Sequence, residues 1–242
     1  MSGPLDQAEL DRLWDFGDPA LSERRFVQAQ ATEPDPGRRA ELRTQQARAV
    51  GLQERFAEAR SLLAGVEPLT PAVEVRLLLE QGRVRNSSGR PAEAAPLFAQ
   101  AAALAREHEM TFLAVDALHM LAIADPDAAP ERTRAALALL GTTTDRRTRR
   151  WAISLHNNLG WSLHDAGRYD EALAEFQAAH AESREVGTTE QEFIARWAIA
   201  RCLRSLGRSA EALQMQRRLA AEDPTDPYVA EEIALLTSET GH

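Results

Sequence analysis

The chain has 242 residues, of which 44% are hydrophobic and 27% are charged, as in an ordinary globular protein. A formal net charge of −9 argues against general nucleic-acid binding, which needs a basic face toward the phosphate backbone. The only cysteine, Cys202, excludes an internal disulfide framework and favours a reducing compartment. Arginine is used throughout in place of lysine, so Schiff-base chemistry and a P-loop lysine are both excluded.

Targeting signals are missing from the sequence. Residues 1–10 lack the basic start and apolar run of a secretory signal, and no apolar run approaches the roughly 18 residues that span a bilayer. We therefore expect a cytoplasmic protein with no membrane partner. The arginine and alanine bias indicates a GC-rich, bacterial source. The acidic C-terminal end predicts a soluble monomer, with a dimer as the alternative.

Helix start signals recur along the chain. A side chain that can accept a hydrogen bond from a free first-turn N–H precedes a proline at five places. In addition, Thr189 followed by Glu192 has the spacing of a capping box. The five capping residues are Asp18, Asp35, Thr70, Asp125 and Asp226.

Strong helix formers fill the segments between these signals, and alternating strand patterns are nearly missing. The sequence therefore predicts an all-α chain of 12 to 13 helices. The predicted helices cover residues 5–16, 19–32, 37–50, 53–65, 71–87, 91–107, 110–124, 127–140, 146–165, 169–185, 189–205, 209–221 and 227–237.

A short motif repeats along the chain. The segment Gly-Arg-Tyr-Asp-Glu-Ala at residues 167–172 recurs in altered form at 207–212 and 89–94, and more weakly at 54–59. Successive copies are separated by 35, 78 and 40 residues, so the double step predicts a divergent copy over 110–140. Fixed periods of this length are typical of stacked repeat proteins.

Small residues twelve positions apart indicate where paired helices cross, because two helices approach closely only where no bulky side chain separates them. The divergent copy has Ala122 followed by Ala135, thirteen positions on. The regular pairs are Ala47 and Ala59, Gly82 and Ala94, Gly160 and Ala172, and Ala200 and Ala212.

These residues resemble the tetratricopeptide repeat family. Leu159-Gly160-x-x-Leu163 followed by Ala172-x-x-x-Phe176 follows the family pattern, although His156 replaces its tryptophan and Leu163 its tyrosine. The resemblance implies an α-solenoid of antiparallel helix hairpins, a right-handed superhelix with a concave groove. We expect one solenoid over residues 1–242, with an N-terminal helix pair at 5–33, five repeats over 37–224 and a capping helix at 226–238.

The family pattern also projects which side chains face the groove, mixing amides, arginines and two tryptophans. An alternative is that the tryptophans pack between repeats and the polar residues are merely solvated. The projected set comprises Thr44, Glu80, Asp116, Met120, Ile123, Ser154, His164, Ile194 and Arg204. It also includes the ten residues that we single out as a ligand groove: Gln45, Arg48, Arg83, Asn86, His119, Asn157, Asn158, Trp161, Trp197 and Arg201.

We expect a non-enzymatic scaffold that binds an extended or helical segment of a protein or peptide, with some preference for acidic ligands because arginine pairs with carboxylates. No catalytic residue, metal ligand or cofactor site is predicted. One alternative is a regulator that senses a signalling peptide and acts through a protein partner, since about 35 residues before the first clear repeat are too few for a DNA-binding module. A third hypothesis is a phosphatase or other hydrolase with its site around His119.

Overall fold

The computed structural model describes residues 3–141 and 143–239, and all regular elements in these ranges are helices. The predicted all-α class is therefore confirmed. A 3-10 helix over Pro126–Ala128 precedes α8. The α-helices are α1 (Gln7–Leu13), α2 (Pro19–Thr32), α3 (Pro36–Leu52), α4 (Phe56–Ala64), α5 (Pro71–Ser87), α6 (Pro91–Glu107), α7 (Thr111–Ala124), α8 (Ala129–Leu140), α9 (Arg146–Arg149), α10 (Trp151–Asp165), α11 (Tyr169–Val186), α12 (Thr189–Ser205), α13 (Ser209–Glu222) and α14 (Pro227–Glu239).

Three predicted helices are divided or differ from the observed ones by three residues at one end, and the others agree to within two residues. The segment predicted as one helix over 146–165 forms α9 and α10, with Arg150 between them. The helix predicted over 5–16 ends at Leu13, because Trp14 has an extended backbone with ψ of 135°. The helix predicted over 53–65 begins only at Phe56, because Glu54 has a φ of 61°, outside the helical region.

Most of the predicted caps are observed. The carboxylates of Asp18, Asp35 and Asp226 and the hydroxyl of Thr70 accept hydrogen bonds from first-turn N–H groups. Asp125 does not, because it precedes the 3-10 helix and its side chain makes no capping bond there.

The predicted capping box is displaced by one residue. Thr188 and Gln191, and not Thr189 and Glu192, exchange the two side-chain-to-backbone hydrogen bonds, at 3.2 and 3.1 Å. Thr188 has the extended backbone that an N-cap residue adopts, with φ of −106° and ψ of 164°, whereas Thr189 is already helical.

Contacts along the chain divide it into two compact units, residues 1–143 and 144–242. In unit 1, α3 packs against α4, α5 against α6 and α7 against α8. In unit 2, α10 packs against α11, α12 against α13 and α14 against α13. These neighbours in sequence are the predicted helix hairpins, and the single solenoid over 1–242 with its predicted subdivisions stays a prediction. Within the described ranges, no helix is long and apolar enough to cross a membrane.

In the divergent hairpin of α7 and α8, the fully buried alanine is the residue after the predicted one. Ala136 is fully buried, whereas Ala135 is only partly buried. The inserted 3-10 turn lengthens the connection between these two helices. The buried position on the second helix therefore lies one residue further along the chain.

Two hairpins cross where a glycine meets a phenylalanine ring. A Cβ atom added to Gly160 would lie 2.5 Å from Cε1 of Phe176, and one added to Gly82 would lie 2.4 Å from Cε1 of Phe98. Both rings are fully buried. The glycines are therefore required by packing, since either ring fills the space that any larger residue would need.

Replacing Gly160 by Ala should destabilise the protein by about 1–3 kcal/mol through overpacking, although alanine favours a helix more than glycine does. Gly51→Ala is the matched control, because its added Cβ would meet nothing closer than Val84 at 3.7 Å. Urea unfolding should be measured for Gly160→Ala, Phe176→Leu and the double variant. The double variant should lose less free energy of unfolding than the sum of the two single losses, because the smaller leucine makes room for the added Cβ atom. A double loss equal to that sum would contradict the steric explanation.

The repeated Gly-Arg motif forms the turn between paired helices. Gly89, Gly167 and Gly207 have φ values of 79°, 74° and 73°, which glycine adopts without strain. The arginine that follows each glycine pairs with the glutamate three residues later, as Arg168 does with Glu171. The weakest copy keeps this ion pair between Arg55 and Glu58, but it places Glu54 in the left-handed position.

Glu54 should therefore be strained, because it adopts the positive φ that a glycine adopts in the other three copies of this turn. Glu54→Gly should stabilise the protein by about 1 kcal/mol, because the cost of holding a side chain at positive φ is removed. Glu54→Ala, which keeps a Cβ atom, should leave the stability near that of the wild type. Thermal and urea unfolding of both variants distinguish the backbone effect from loss of the carboxylate, which would affect both alike.

Candidate functional site

The residues predicted to line a ligand groove are divided between the two units and are described unit by unit. In unit 1 they are Gln45 and Arg48 on α3, Arg83 and Asn86 on α5, and His119 on α7. In unit 2 they are Asn157, Asn158 and Trp161 on α10, and Trp197 and Arg201 on α12.

Gln45 is an internal amide and does not face a groove. Its residue is only 3% exposed, its Oε1 accepts from Nε1 of Trp14 at 3.3 Å, and its Nε2 donates to the hydroxyl of Thr44 at 3.3 Å. Thr44 is fully buried and donates to the carbonyl of Glu41. The structure thus corrects the assignment of Gln45 and Thr44: Gln45 bonds Trp14, which follows α1, and Thr44 bonds the backbone of its own helix.

Arg83 is also committed to an internal network. Its guanidinium bonds both Glu80 on the same helix and Asp116 on α7, and the two carboxylates are buried. Burial opposes the charge on Arg83, but the carboxylates of Asp116 and Glu80 raise its pKa above the ordinary value. Burial likewise opposes ionisation of Asp116, yet Arg83 holds the pKa of that carboxyl below its ordinary value. Arg83 is therefore a structural cation.

Arg48 stands apart from this network. Its guanidinium carbon lies 5.3 Å from the ring centre of Trp14 and 5.5 Å from that of Phe16, and no described carboxylate pairs with it. Burial and the nearby charge of Arg83 lower the pKa of Arg48. Arg48 lines a cavity of about 220 Å³ between α3, α5 and α7. Arg48 is therefore a predicted groove residue of unit 1 whose guanidinium a ligand in this cavity could reach.

Asn86 and His119 are partly buried. The side chain of Asn86 makes no hydrogen bond with another described residue. Burial lowers the pKa of His119, and the neighbouring Arg83 lowers it further against the opposing effect of Asp116. His119 is therefore held in its uncharged form near neutral pH.

Unit 2 carries a row of three aromatic rings, which we call the aromatic face: Trp161 on α10, Trp197 on α12 and Tyr228 on α14. The ring centres of Trp161 and Trp197 are 5.9 Å apart, and those of Trp197 and Tyr228 are 6.2 Å apart. Trp161 also packs edge-on against the buried ring of Phe176 at 4.8 Å. The tryptophans therefore do pack across neighbouring helices, but both remain partly exposed, and Tyr228 is 63% exposed.

A cavity of about 240 Å³ opens beside the aromatic face. Its walls are apolar, formed by Phe193, Ile194, Trp197 and Tyr228, and Asp226 lies at its edge. The side chain of Ile194 is 46% exposed. The indole Nε1 of Trp197 is buried and has no hydrogen-bond partner among the described residues. The cavity therefore combines apolar walls with one unused donor in its lining residues.

Two amides on α10 have unused hydrogen-bonding capacity. Asn158 is exposed, and its side chain bonds no other described residue. Asn157 is partly buried, and its Oδ1 is shielded from solvent without a partner in the part of the chain that is described. Both residues precede Trp161 by a turn or less. A carboxamide can donate to and accept from a peptide backbone, so these two are suited to bind one.

The arginines of α12 are not free to bind an acidic ligand. Arg201 and Arg204 both pair with the buried carboxylate of Glu232 on α14, at 2.9 and 2.8 Å. Arg201 also donates to the hydroxyl of Ser205 at 3.0 Å, and that hydroxyl lies 2.9 Å from Nε2 of His164. The prediction that Arg201 recognises an acidic ligand is therefore not supported by its surroundings.

Sequence reasoning missed the contribution of α14. Tyr228 extends the aromatic face. Glu232 pairs with two arginines, whereas the acidic C-terminal end was expected to contribute solubility. The signal was present in the sequence. Tyr228 and Glu232 are four residues apart and so share one face of the helix.

The chain was compared with known families. Residues 151–221, which span α10 to α13, match the model of the tetratricopeptide repeat. This segment belongs to the tetratricopeptide repeat family. No curated protein sequence is significantly similar to the chain.

Solved structures show the same fold at low sequence identity. The apo form of RapI is similar with a TM-score of 0.74 and 11% identity, over 96% of this chain and 71% of that one. A signal transduction ATPase with a tetratricopeptide repeat sensor from Pyrococcus horikoshii gives a TM-score of 0.73 and 12% identity, over 96% of this chain and 37% of that one. BtubC from P. vanneervenii gives a TM-score of 0.64 and 16% identity, over 92% and 95%. At these identities the likeness shows the tetratricopeptide fold alone.

In the tetratricopeptide repeat region, a histidine and the cysteine are held in structural contacts. His156 lies 2.7 Å from the carboxylate of Glu175. Cys202 is buried, its Sγ donates to the carbonyl of Tyr169 at 3.3 Å, and burial raises the pKa of its thiol. Among the described residues, no three His, Cys, Asp or Glu side chains are grouped to hold a metal ion. Cys202 is thus a structural thiol in this setting.

The lowered pKa of His119 predicts a pH-dependent stability. An unfolded histidine with the ordinary pKa of 6.5 takes up a proton more readily than the folded one, so the free energy of unfolding should fall as the pH drops through that value. His119→Gln should flatten this fall, whereas His108→Gln, at an exposed site, should leave it unchanged. Urea unfolding at a series of pH values measures the slope. Parallel curves for wild type and His119→Gln would contradict the assignment.

Proposed function

We propose that the protein is a non-catalytic scaffold and that the aromatic face of unit 2 binds a peptide or an exposed protein segment. The observation that carries this proposal is the row of three partly exposed rings beside an apolar cavity. Large contiguous apolar patches on a protein surface usually mark interaction sites. Trp and Tyr are also the residues that most often dominate binding energy at interfaces.

The polar groups around this face suit a peptide backbone. The unused Oδ1 of Asn157 can accept from a backbone N–H, and the unused indole N–H of Trp197 can donate to a backbone carbonyl. Exposed Asn158 can do both. A ligand that supplied these partners would remove the cost of leaving buried polar atoms unpaired.

The apolar cavity beside Trp197 determines what the ligand must offer. Its walls would accept one apolar side chain, with Ile194 and Tyr228 in contact with it. The match to the tetratricopeptide repeat family over residues 151–221 covers α10 and α12, which carry most of this surface. The partner would thus present an apolar anchor flanked by backbone hydrogen-bonding groups.

The surroundings of the cavity weaken the expected preference for acidic ligands. Arg201 and Arg204 are occupied by Glu232, and the charged residue in the cavity lining is Asp226, which forms no ion pair with another described residue. Asp226 spends one oxygen on capping α14. An acidic residue next to the anchor would be repelled by Asp226, so we expect a neutral or basic flank at that point.

The test is selection of peptides from a random displayed library against the wild-type protein, followed by affinity measurement. Selected peptides should share an apolar residue. Tyr228→Ala and Asn158→Ala should each weaken binding by about tenfold, the effect expected for an interface hot spot. Circular dichroism should show that both variants keep their helical content.

Leu69→Ala is the matched control, because Leu69 is an exposed apolar residue of unit 1, 50% exposed, far from the aromatic face in sequence. It should leave the affinity unchanged. Failure to enrich any peptide, or equal binding of wild type and both face variants, would refute the proposal. Loss of binding in the control as well would indicate nonspecific hydrophobic adsorption.

A further inference from the structure

The cavity in unit 1 has features of a separate ligand site that does not depend on the aromatic face. It measures about 220 Å³ and lies between α3, α5 and α7. This volume is below the range of about 300–1,000 Å³ typical of pockets for drug-sized ligands, so it suits a small molecule. Leu52, Phe56, Val84 and Met120 form its apolar wall.

Two charged residues in this cavity have unused hydrogen-bonding groups. The guanidinium of Arg48 lies over the rings of Trp14 and Phe16, and it forms no hydrogen bond or ion pair with another described residue. Glu80 is 1% exposed and bonds Arg83 through Oε1, but its Oε2 is buried without a partner in the described part of the chain. A buried carboxylate oxygen without a donor is costly, and a ligand N–H would remove that cost.

The charge balance of the cavity restricts the ligand further. Arg48 and Arg83 carry two positive charges, and Glu80 and Asp116 carry two negative ones. His119 beside Asp116 is held uncharged by burial, which lowers its pKa. A ligand with a net charge would disturb this balance in a desolvated setting, whereas a zwitterion would leave it intact.

We propose that this cavity binds a free α-amino acid with an apolar side chain. Arg48 binds the carboxylate, Oε2 of Glu80 accepts a hydrogen bond from the ammonium group, and the side chain packs against Leu52, Phe56 and Met120. An α-amino acid carries both charged groups on adjacent atoms together with one apolar group, which matches the donors, acceptor and wall of this small cavity. The site extends the molecule's function beyond the peptide surface proposed for unit 2.

The test is isothermal titration calorimetry of the full chain with L-leucine and three altered probes. N-acetyl-L-leucine lacks the ammonium, L-leucinamide lacks the carboxylate, and glycine lacks the side chain. L-leucine should bind, with each altered probe weaker by about tenfold or more, as expected when a charged partner is lost in a desolvated site. No heat of binding for L-leucine up to about 10 mM would overturn the proposal, since such an affinity corresponds to under about 3 kcal/mol.

The altered probes also identify competing sources of the same chemistry. If N-acetyl-L-leucine bound as tightly as L-leucine, the cavity would recognise the C-terminal residue of a peptide. If L-leucinamide did so, it would recognise an N-terminal residue. Either result would overturn the assignment to a free amino acid.

Variants connect the binding to the cavity. Arg48→Gln should reduce the affinity for L-leucine by at least about tenfold, whereas Arg60→Gln, at an exposed arginine that pairs with no described carboxylate, should not change it. Met120→Trp, which fills the cavity and leaves its charges in place, should also abolish binding. Tyr228→Ala should retain L-leucine binding, which separates this result from that of the peptide experiment. Unchanged affinity in both Arg48→Gln and Met120→Trp would refute the site.

Discussion

The close crossing of paired helices is the constraint on which the rest of the structure depends. At Gly82 and Gly160, the absence of a Cβ atom lets a fully buried phenylalanine ring of the next helix lie directly against the helix backbone. Where the first helix has alanine in this place, as at Ala47, the residue sixteen positions later is Leu63, and both belong to one buried cluster. The corresponding offset joins Gly82 to Phe98 and Gly160 to Phe176.

The turn between the paired helices is specified by two local features. A residue at positive φ reverses the chain, and the next arginine pairs with a carboxylate in the first turn of the second helix. The ion pair is exposed and contributes little stability by itself. Its recurrence is better explained by local geometry, since it fixes the start of the second helix relative to the turn. Glu54 shows that the turn forms even without glycine. The positive φ of this residue costs free energy, which the packing around the turn offsets.

The fold was predictable because its signals are local. Capping residues, prolines at helix starts and small residues at fixed spacing each act within one or two turns of helix, so α2, α5, α6 and α12 were predicted with their observed bounds. The errors arose where a backbone torsion decided the outcome. The helix after Glu54 and the capping box at Thr188 depend on individual φ and ψ values that composition does not reveal.

The candidate site was predictable only in part, because side-chain availability depends on distant partners. Gln45 is used by Trp14, 31 residues away, and Arg201 by Glu232, on another helix. Helical periodicity projects a face for each residue, but it does not show whether that face is covered or whether the polar groups are already bonded. Trp161 and Trp197 do lie beside one another, with ring centres 5.9 Å apart, and their role in lining a ligand groove stays a prediction.

The location of the single thiol makes one half of the molecule separately observable. Cys202 lies within α12 of unit 2, is buried, and donates a hydrogen bond to the first residue of α11, so a reagent reaches it when the surrounding structure opens. The rate of alkylation of the native protein therefore measures local opening of unit 2, while unit 1 contributes no signal. A ligand that bridges α10, α12 and α14 would slow that rate without itself being labelled. The protein thus contains a built-in kinetic probe for occupancy of one unit.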